Sequence, residues 1–223
     1  MSGAVLDISP AIGSDSVVWP GDTPFELDVA WSPESGDAVT VSRITMSPHT
    51  GAHADAPLHV GAGPADAAGL DLAAYWGPCI VLDWRAEIAR SPLGAIEAAA
   101  LLARAGEFVD AERVLFRTLE RALDHFPENF PHFTPEAAAW LAQRAGLRLV
   151  GIDTFSVDPP ASKDLAAHRA LFGGGLAVLE GLELAHVAPG AYELCALPLR
   201  IRGGDASPVR AALRRPVPAE AGA

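Results

Sequence analysis

A chain of 223 residues, half of them apolar, has the material for one sizeable buried core, which excludes an extended disordered protein. Its 28 Asp and Glu against 16 Lys and Arg leave a formal charge of −12, which repels polyphosphate and argues against a nucleic-acid partner. No apolar stretch approaches the ~20 residues that span a bilayer, and the opening MSGAVLDISP lacks the basic, apolar, small-residue order of a secretory leader, so a cytoplasmic protein is expected.

Along the chain, strand-like runs lie at 5–9, 25–31, 38–46, 79–84, 113–118, 147–152, 176–181 and 192–201. Helices are predicted from Pro92, Thr134 and Ser162, each with a Ser or Thr before it and Gly close after it. Thr134 as N-cap with Pro135 at the first helical position is the clearest start. The first strands are joined by short turns and should pair antiparallel; the later ones are separated by helices and can pair in parallel. A mixed α/β fold follows, in one domain over 1–213, with a frayed tail expected at 214–223, RRPVPAEAGA. Cys79 and Cys195 each sit in an apolar run, the habitat of a reduced buried thiol, although a disulfide between them stays open.

Between Pro48 and Val60 the chain reads HTGAHADAPLH, which places His49, His53, Asp55 and His59 within one short segment. Imidazole and carboxylate are donors that Zn²⁺, Mn²⁺ and Fe²⁺ accept. A regular helix puts His49 and His53 on one face and the other two opposite, and Pro57 argues against it. An extended chain points all four to one side but holds His49 and His59 about 33 Å apart. A bend is therefore required, and Gly51 and Pro57 permit one, so a strand ending in a tight loop around a pocket is predicted. A polar surface loop that happens to hold histidines is the alternative.

Short ligand spacings need distant partners. His168 lies three residues after Leu165 and four before Phe172, on the face that a helix would bury; a core histidine bonded to a carbonyl explains that equally well. Glu180 alternates with Leu176 and Val178 on one strand face, where an unpaired carboxylate is costly and metal coordination compensates it, unless the strand has already reached solvent at Gly181. Trp19 sits beside a Pro-Gly turn, either stacked on an aromatic ligand or simply packed. Asp153, Ser156, Asp158, Asp205 and Ser207 follow strand-like runs and are candidates to face a pocket and receive an ammonium group, while His125 and His132 read as loop or rim residues and His186 as surface.

The segment HTGAHADAPLH resembles the pattern H-x-G-T-H-x-D-x-P-x-H of the cyclase-like metal-dependent amidohydrolases. Ala52 matches the variant of their kynurenine formamidase branch, which has Ala in place of Thr. The resemblance continues through WPGD, FTPEAAAWLA, GIDTFSVDP, SKDLAAHRAL, LEG and DASPVRA, nearly the whole chain, with Val60 and the glycine-rich FGGGL as departures. It implies a barrel-like mixed sheet flanked by helices, a homodimer, and a site of two metals, usually zinc. The implied ligands are His49, His53, Asp55, His168 and Glu180, with His59 as proton carrier and Trp19 as an aromatic contact for the substrate. The implied reaction is hydrolysis of N-formyl-L-kynurenine to L-kynurenine and formate, a step of tryptophan degradation, by metal-activated water. The rival readings are a hydrolase that opens a cyclic amide such as isatin, and a non-catalytic metal- or ligand-binding protein on the same scaffold.

Overall fold

The computed structural model describes residues 3–216, so the expected tail lies outside the described residues from 217 onward, and Arg214 belongs to a strand. In chain order the elements are β1 (Val5–Asp7), β2 (Glu26–Trp31), β3 (Val41–Thr45), β4 (His53–Asp55), β5 (Trp76–Asp83), α1 (Arg85–Arg90), α2 (Ala98–Ala103), β6 (Arg113–Arg117), α3 (Pro135–Ala142), β7 (Leu149–Ile152), α4 (Ala166–Gly173), β8 (Ala177–Glu180), β9 (Gly190–Cys195), β10 (Ala206–Pro208) and β11 (Ala212–Arg214). Nine strands form one curled, half-barrel sheet in the order β1-β11-β9-β5-β6-β7-β8-β4-β10. Its centre, β5-β6-β7-β8, is parallel, as the intervening helices require, and every other pairing is antiparallel.

Alternation along the central strands splits the interior in two. Leu82, Val114, Phe116, Val150, Ile152 and Val178 face the helices and pack with Leu141 of α3 and Leu171 of α4. Their neighbours Val81, Leu115, Leu149 and Leu179 face the other way, against Ile8, Tyr75, Leu194 and Leu213. Both faces are buried, which is why these strands read as continuous apolar runs. β2 and β3 form a separate hairpin whose Leu27, Val29, Trp31 and Ile44 are exposed.

Thr134 does cap α3, its side chain accepting from the Ala137 N–H at 3.2 Å. The helix expected from Pro92 begins only at Ala98, because Ile96 is drawn out straight between the His132 carbonyl and the Thr134 N–H. The helix expected from Ser162 begins at Ala166: the Ser162 hydroxyl accepts from Leu165 N–H, closing a turn, and Leu165 is left-handed at φ 50°. The last predicted strand stops at Cys195, short of Pro198, which has no N–H for a ladder. Strands β4, β10 and β11, three residues each, are too short for a periodicity to declare them. Both cysteines are free thiols. Among the described residues no helix is long and apolar enough to cross a membrane.

Candidate metal centre

Strand parity and register assemble the site. Val178 faces the helices, so Glu180, two residues on, faces them too. β4 runs antiparallel beside β8 with His53 directly opposite Glu180 and Asp55 opposite Val178, which brings three polar side chains to one patch of the sheet. α4 lies over that patch and lowers His168 onto it, from the same helix face that buries Ala167 and Leu171. The bend needed before β4 falls at Gly51, at φ 68°, and Pro57 opens a short 3₁₀ turn that ends at Val60 and carries His59. His53, Asp55, His168 and Glu180 are all buried, His49 is less so, and His59 stands at the mouth with its side chain 29% exposed.

Three imidazoles share one arrangement. His53 Nδ1–H donates to the Gly51 carbonyl at 2.9 Å. His168 Nδ1–H donates to Asp158 Oδ2 at 2.7 Å, and His49 Nε2–H to Asp205 Oδ2 at 3.1 Å. With one ring nitrogen anchored to an acceptor, the other is left as a lone pair directed inward. Inward, those nitrogens meet only oxygens. His49 Nδ1 is 3.1 Å from Asp55 Oδ1; His168 Nε2 is 3.1 Å from both Asp55 Oδ2 and Glu180 Oε1; His53 Nε2 is 3.2 Å from Glu180 Oε2 and 3.6 Å from Asp55 Oδ1.

Lone pair facing lone pair is repulsive unless a cation or proton lies between them. His53 Nε2 and Asp55 Oδ1 are buried without a hydrogen-bond partner, a costly condition that a divalent ion relieves. Two groups, His49 with Asp55 and His59, and His53 with Asp55 and Glu180, have ligand atoms within 4.8 Å of one another, and Asp55 belongs to both. The donor set of imidazole and carboxylate fits zinc and its neighbours.

The electrostatics agree. Burial works against an ionised Asp55, yet the imidazoles of His53, His168 and His49 hold its carboxyl well below the ordinary range. Burial likewise opposes a charged His49, but Asp55 and Asp205 push it up to about 9. Glu180 is kept ionised by His168 and His53 against burial and the nearby charge of Asp55. The pocket is thus an anionic cage that demands positive charge.

Trp19 packs edge-on against Phe126 at 4.8 Å and Phe130 at 6.2 Å between ring centres, and Phe155 stacks on Phe126 at 5.2 Å. Phe155 hangs on the same loop as Asp158, so this aromatic cluster and the anchor of His168 are carried together. A cavity of about 410 Å³ adjoins the turns that bear the site, lined by Val17, Gly51, Asp153, Phe155 and Gly181 among others, but none of the clustered imidazoles or carboxylates lines it.

Most of the residues considered for an ammonium group are occupied within the fold. Asp153 accepts from the Thr118 and Leu119 N–H groups and the Thr118 hydroxyl. The Ser156 hydroxyl accepts from Asp158 N–H, and Ser207 bridges Leu199 and Pro208. Asp158 does more than line a pocket: its two oxygens accept from the Ala167 and His168 N–H groups, capping α4, while it anchors the His168 ring. The sequence offers Asp158 and Asp205 to an ammonium group; in the fold they hold the outer nitrogens of His168 and His49 instead. The prolines after Asp158, which turn the chain back toward α4, are the one local signal of it. His132 is buried with Nδ1 on the Phe130 carbonyl, whereas His125 and His186 are exposed.

Comparison with known proteins agrees with this geometry. Residues 6–159 match the cyclase family. The kynurenine formamidases of Bacillus cereus and Bacillus mycoides are each 42% identical to the chain over 210 residues, covering 94% of it and 96% of their own length. A solved structure described as a predicted metal-dependent hydrolase from Bacillus stearothermophilus superposes with a TM-score of 0.81 at 29% identity, covering 97% of this chain and 100% of that one. Isatin hydrolase A of Labrenzia aggregata superposes at 0.79 with 26% identity, over 95% and 93% of the two chains. The chain belongs to the cyclase family, in its kynurenine formamidase branch.

Proposed function

We propose that this chain is a metal-dependent arylformamidase that hydrolyses N-formyl-L-kynurenine to L-kynurenine and formate. The observation that carries the reading is the set of three outwardly anchored imidazoles whose inner nitrogens face Asp55 and Glu180. The relatives of 42% identity supply the substrate class. Two zinc ions per subunit would be held by His49, His53, Asp55, His168 and Glu180, and Asp55 belongs to both clusters of converging ligand atoms. Bound there, such ions supply Lewis acidity, acidifying water and polarising the formyl carbonyl.

The remaining work falls to side chains. His59, at the mouth and within 4.4 Å of the His49 ring centre, takes the proton that water gives up as its oxygen bonds to the formyl carbon. It returns that proton to the aniline nitrogen as the C–N bond breaks, so the amine leaves neutral. Trp19, 38% exposed at the edge of its aromatic cluster, offers a face to the aryl ring. A homodimer is in keeping with the exposed apolar face of the β2–β3 hairpin, which a second copy would cover, and the two free thiols suit the cytoplasm.

The test is the rate at which zinc-loaded protein, beside a chelator-stripped sample, releases kynurenine from N-formyl-L-kynurenine. Fast, metal-dependent release is expected. Bound metal without turnover would sink the formamidase assignment and move the search to cyclic amides such as isatin.

A further inference from the structure

We propose that Asp205 is a positioning residue that ties the proton carrier to the metal centre; the inference rests on the formamidase reading of the site. Asp205 immediately precedes β10, whose Ala206 pairs with Asp55, and its own carbonyl accepts from the Ala56 N–H at 2.9 Å. The backbone at Asp205 is therefore fixed by the strand that carries the central ligand. Its side chain, 46% exposed, reaches into the mouth of the site and presents one oxygen, Oδ2, to two rings: His49 Nε2 at 3.1 Å and His59 Nδ1 at 3.5 Å. Among the described residues it is the single carboxylate within 4 Å of a His59 ring nitrogen.

A carboxylate only accepts: His49 Nε2–H donates to Oδ2, and the same oxygen, 3.5 Å from His59 Nδ1, favours a proton on that nitrogen. For His59 that leaves Nε2 as the lone pair, free to take a proton from water and to return it. Without Asp205 the ring, partly solvated and on a one-turn 3₁₀ segment, has no comparable partner to select tautomer or orientation. The same oxygen holds the outer nitrogen of His49, so carrier and ligand are set in register by one group. Asp205 neither touches the substrate in this account nor exchanges a proton.

The experiment uses the full chain with Asp205→Ala and Asp205→Asn, loaded with zinc and matched for zinc content. Three quantities are read: kcat and KM on N-formyl-L-kynurenine, zinc affinity by chelator competition, and the ¹⁵N–¹H spectrum of the imidazoles. Asp205→Ala should lower kcat about 10–100-fold and weaken zinc binding. KM should move less than about 3-fold, and the His59 spectrum should pass from a single Nδ1–H tautomer to a mixture. Asp205→Asn, which keeps a carbonyl acceptor and the volume, should fall between wild type and Ala in all three. A raised KM with unchanged kcat overturns the proposal, because Asp205 would then be holding substrate. So does an unchanged His59 tautomer in Asp205→Ala. If the wild-type protein binds zinc but does not turn over this formamide, the substrate reading fails while the spectrum still decides the role of Asp205: a lost tautomer supports it and a retained one refutes it.

Discussion

Replacing Gly181 by Ala tests whether the two halves of the proposed metal centre are locked through backbone. Gly181 follows the Glu180 carboxylate in sequence, at φ 65°, and a Cβ placed on it would lie 2.2 Å from the Gly51 carbonyl oxygen and 2.8 Å from its carbon. Gly51 sits between His49 and His53, and its carbonyl is the acceptor that fixes the His53 ring. To reach even a 3.0 Å separation the carbonyl must retreat by about 0.8 Å, and backbone on both sides leaves no flexible side chain to yield. Functional constellations tolerate displacements of about 0.5 Å, so His53 should turn away from Glu180 and Asp55.

The cost divides into two parts that a control separates. The left-handed conformation alone costs a residue with a Cβ about 1–2 kcal/mol. Gly175, at φ 77° with nothing within 4 Å of its Cβ position, measures that part by itself as Gly175→Ala. The overlap at Gly181 adds about 1–3 kcal/mol of overpacking, so Gly181→Ala should lose about 2–5 kcal/mol in urea unfolding of the zinc-free protein. Its zinc affinity, read by competition with a chromophoric chelator, should fall about 10–100-fold while that of Gly175→Ala stays at the wild-type value. Equal unfolding free energies for the two variants, with zinc binding intact in both, would refute the claim that the Gly51–Gly181 contact holds the ligand turns together.

Four further outcomes follow from the same structure. His59→Ala should depress turnover by about 100-fold or more and keep its zinc, by metal analysis of the purified protein; loss of metal would move His59 into the ligand set. Asp158→Ala removes both the anchor of His168 and the cap of α4, and should lose about 1–2 kcal/mol of stability by denaturant titration together with zinc affinity, whereas Asp158→Asn should retain part of each. Burial pushes the Asp153 carboxyl up to about 6 despite the three donors around it, so the folded chain holds a proton that the unfolded chain releases near 3.8. The stability it contributes is complete below pH 3.8 and is lost as pH rises through about 6, on the order of 3 kcal/mol, and unfolding of wild type against Asp153→Asn over that range should show the difference. Burial also pushes the Cys79 thiol up to about 12, so iodoacetamide at mildly alkaline pH should label Cys195 first, as peptide mass analysis would show.

How far the site could be read from the residues alone follows from what each one is asked to do. The segment from His49 to His59 is legible because candidate donors are dense, their chemical types are few, and Gly51 and Pro57 mark the bend that gathers them. His168 and Glu180 are legible by periodicity, since each lies on a face that the neighbouring apolar residues commit to burial. Where periodicity fails, a long-range contact is responsible. Ile96 is drawn into bonds with His132 and Thr134, which delays α2, and the turn closed on Ser162 delays α4. The three-residue strands exist only because a partner strand is present.

The outer anchors illustrate a deeper asymmetry. An inward ligand must be an imidazole or a carboxylate, because the metal restricts the donors, and so it leaves a chemical signature in the sequence. The group that holds the far side of an imidazole has only to accept a hydrogen bond, and here that duty falls on a glycine carbonyl for His53, a helix-capping aspartate for His168 and a mouth aspartate for His49. Three different solutions to one requirement cannot form a motif. They become visible only when the fold shows which acceptor each ring meets, so in this site the proposed ligands are written in the sequence and their orientation in the architecture.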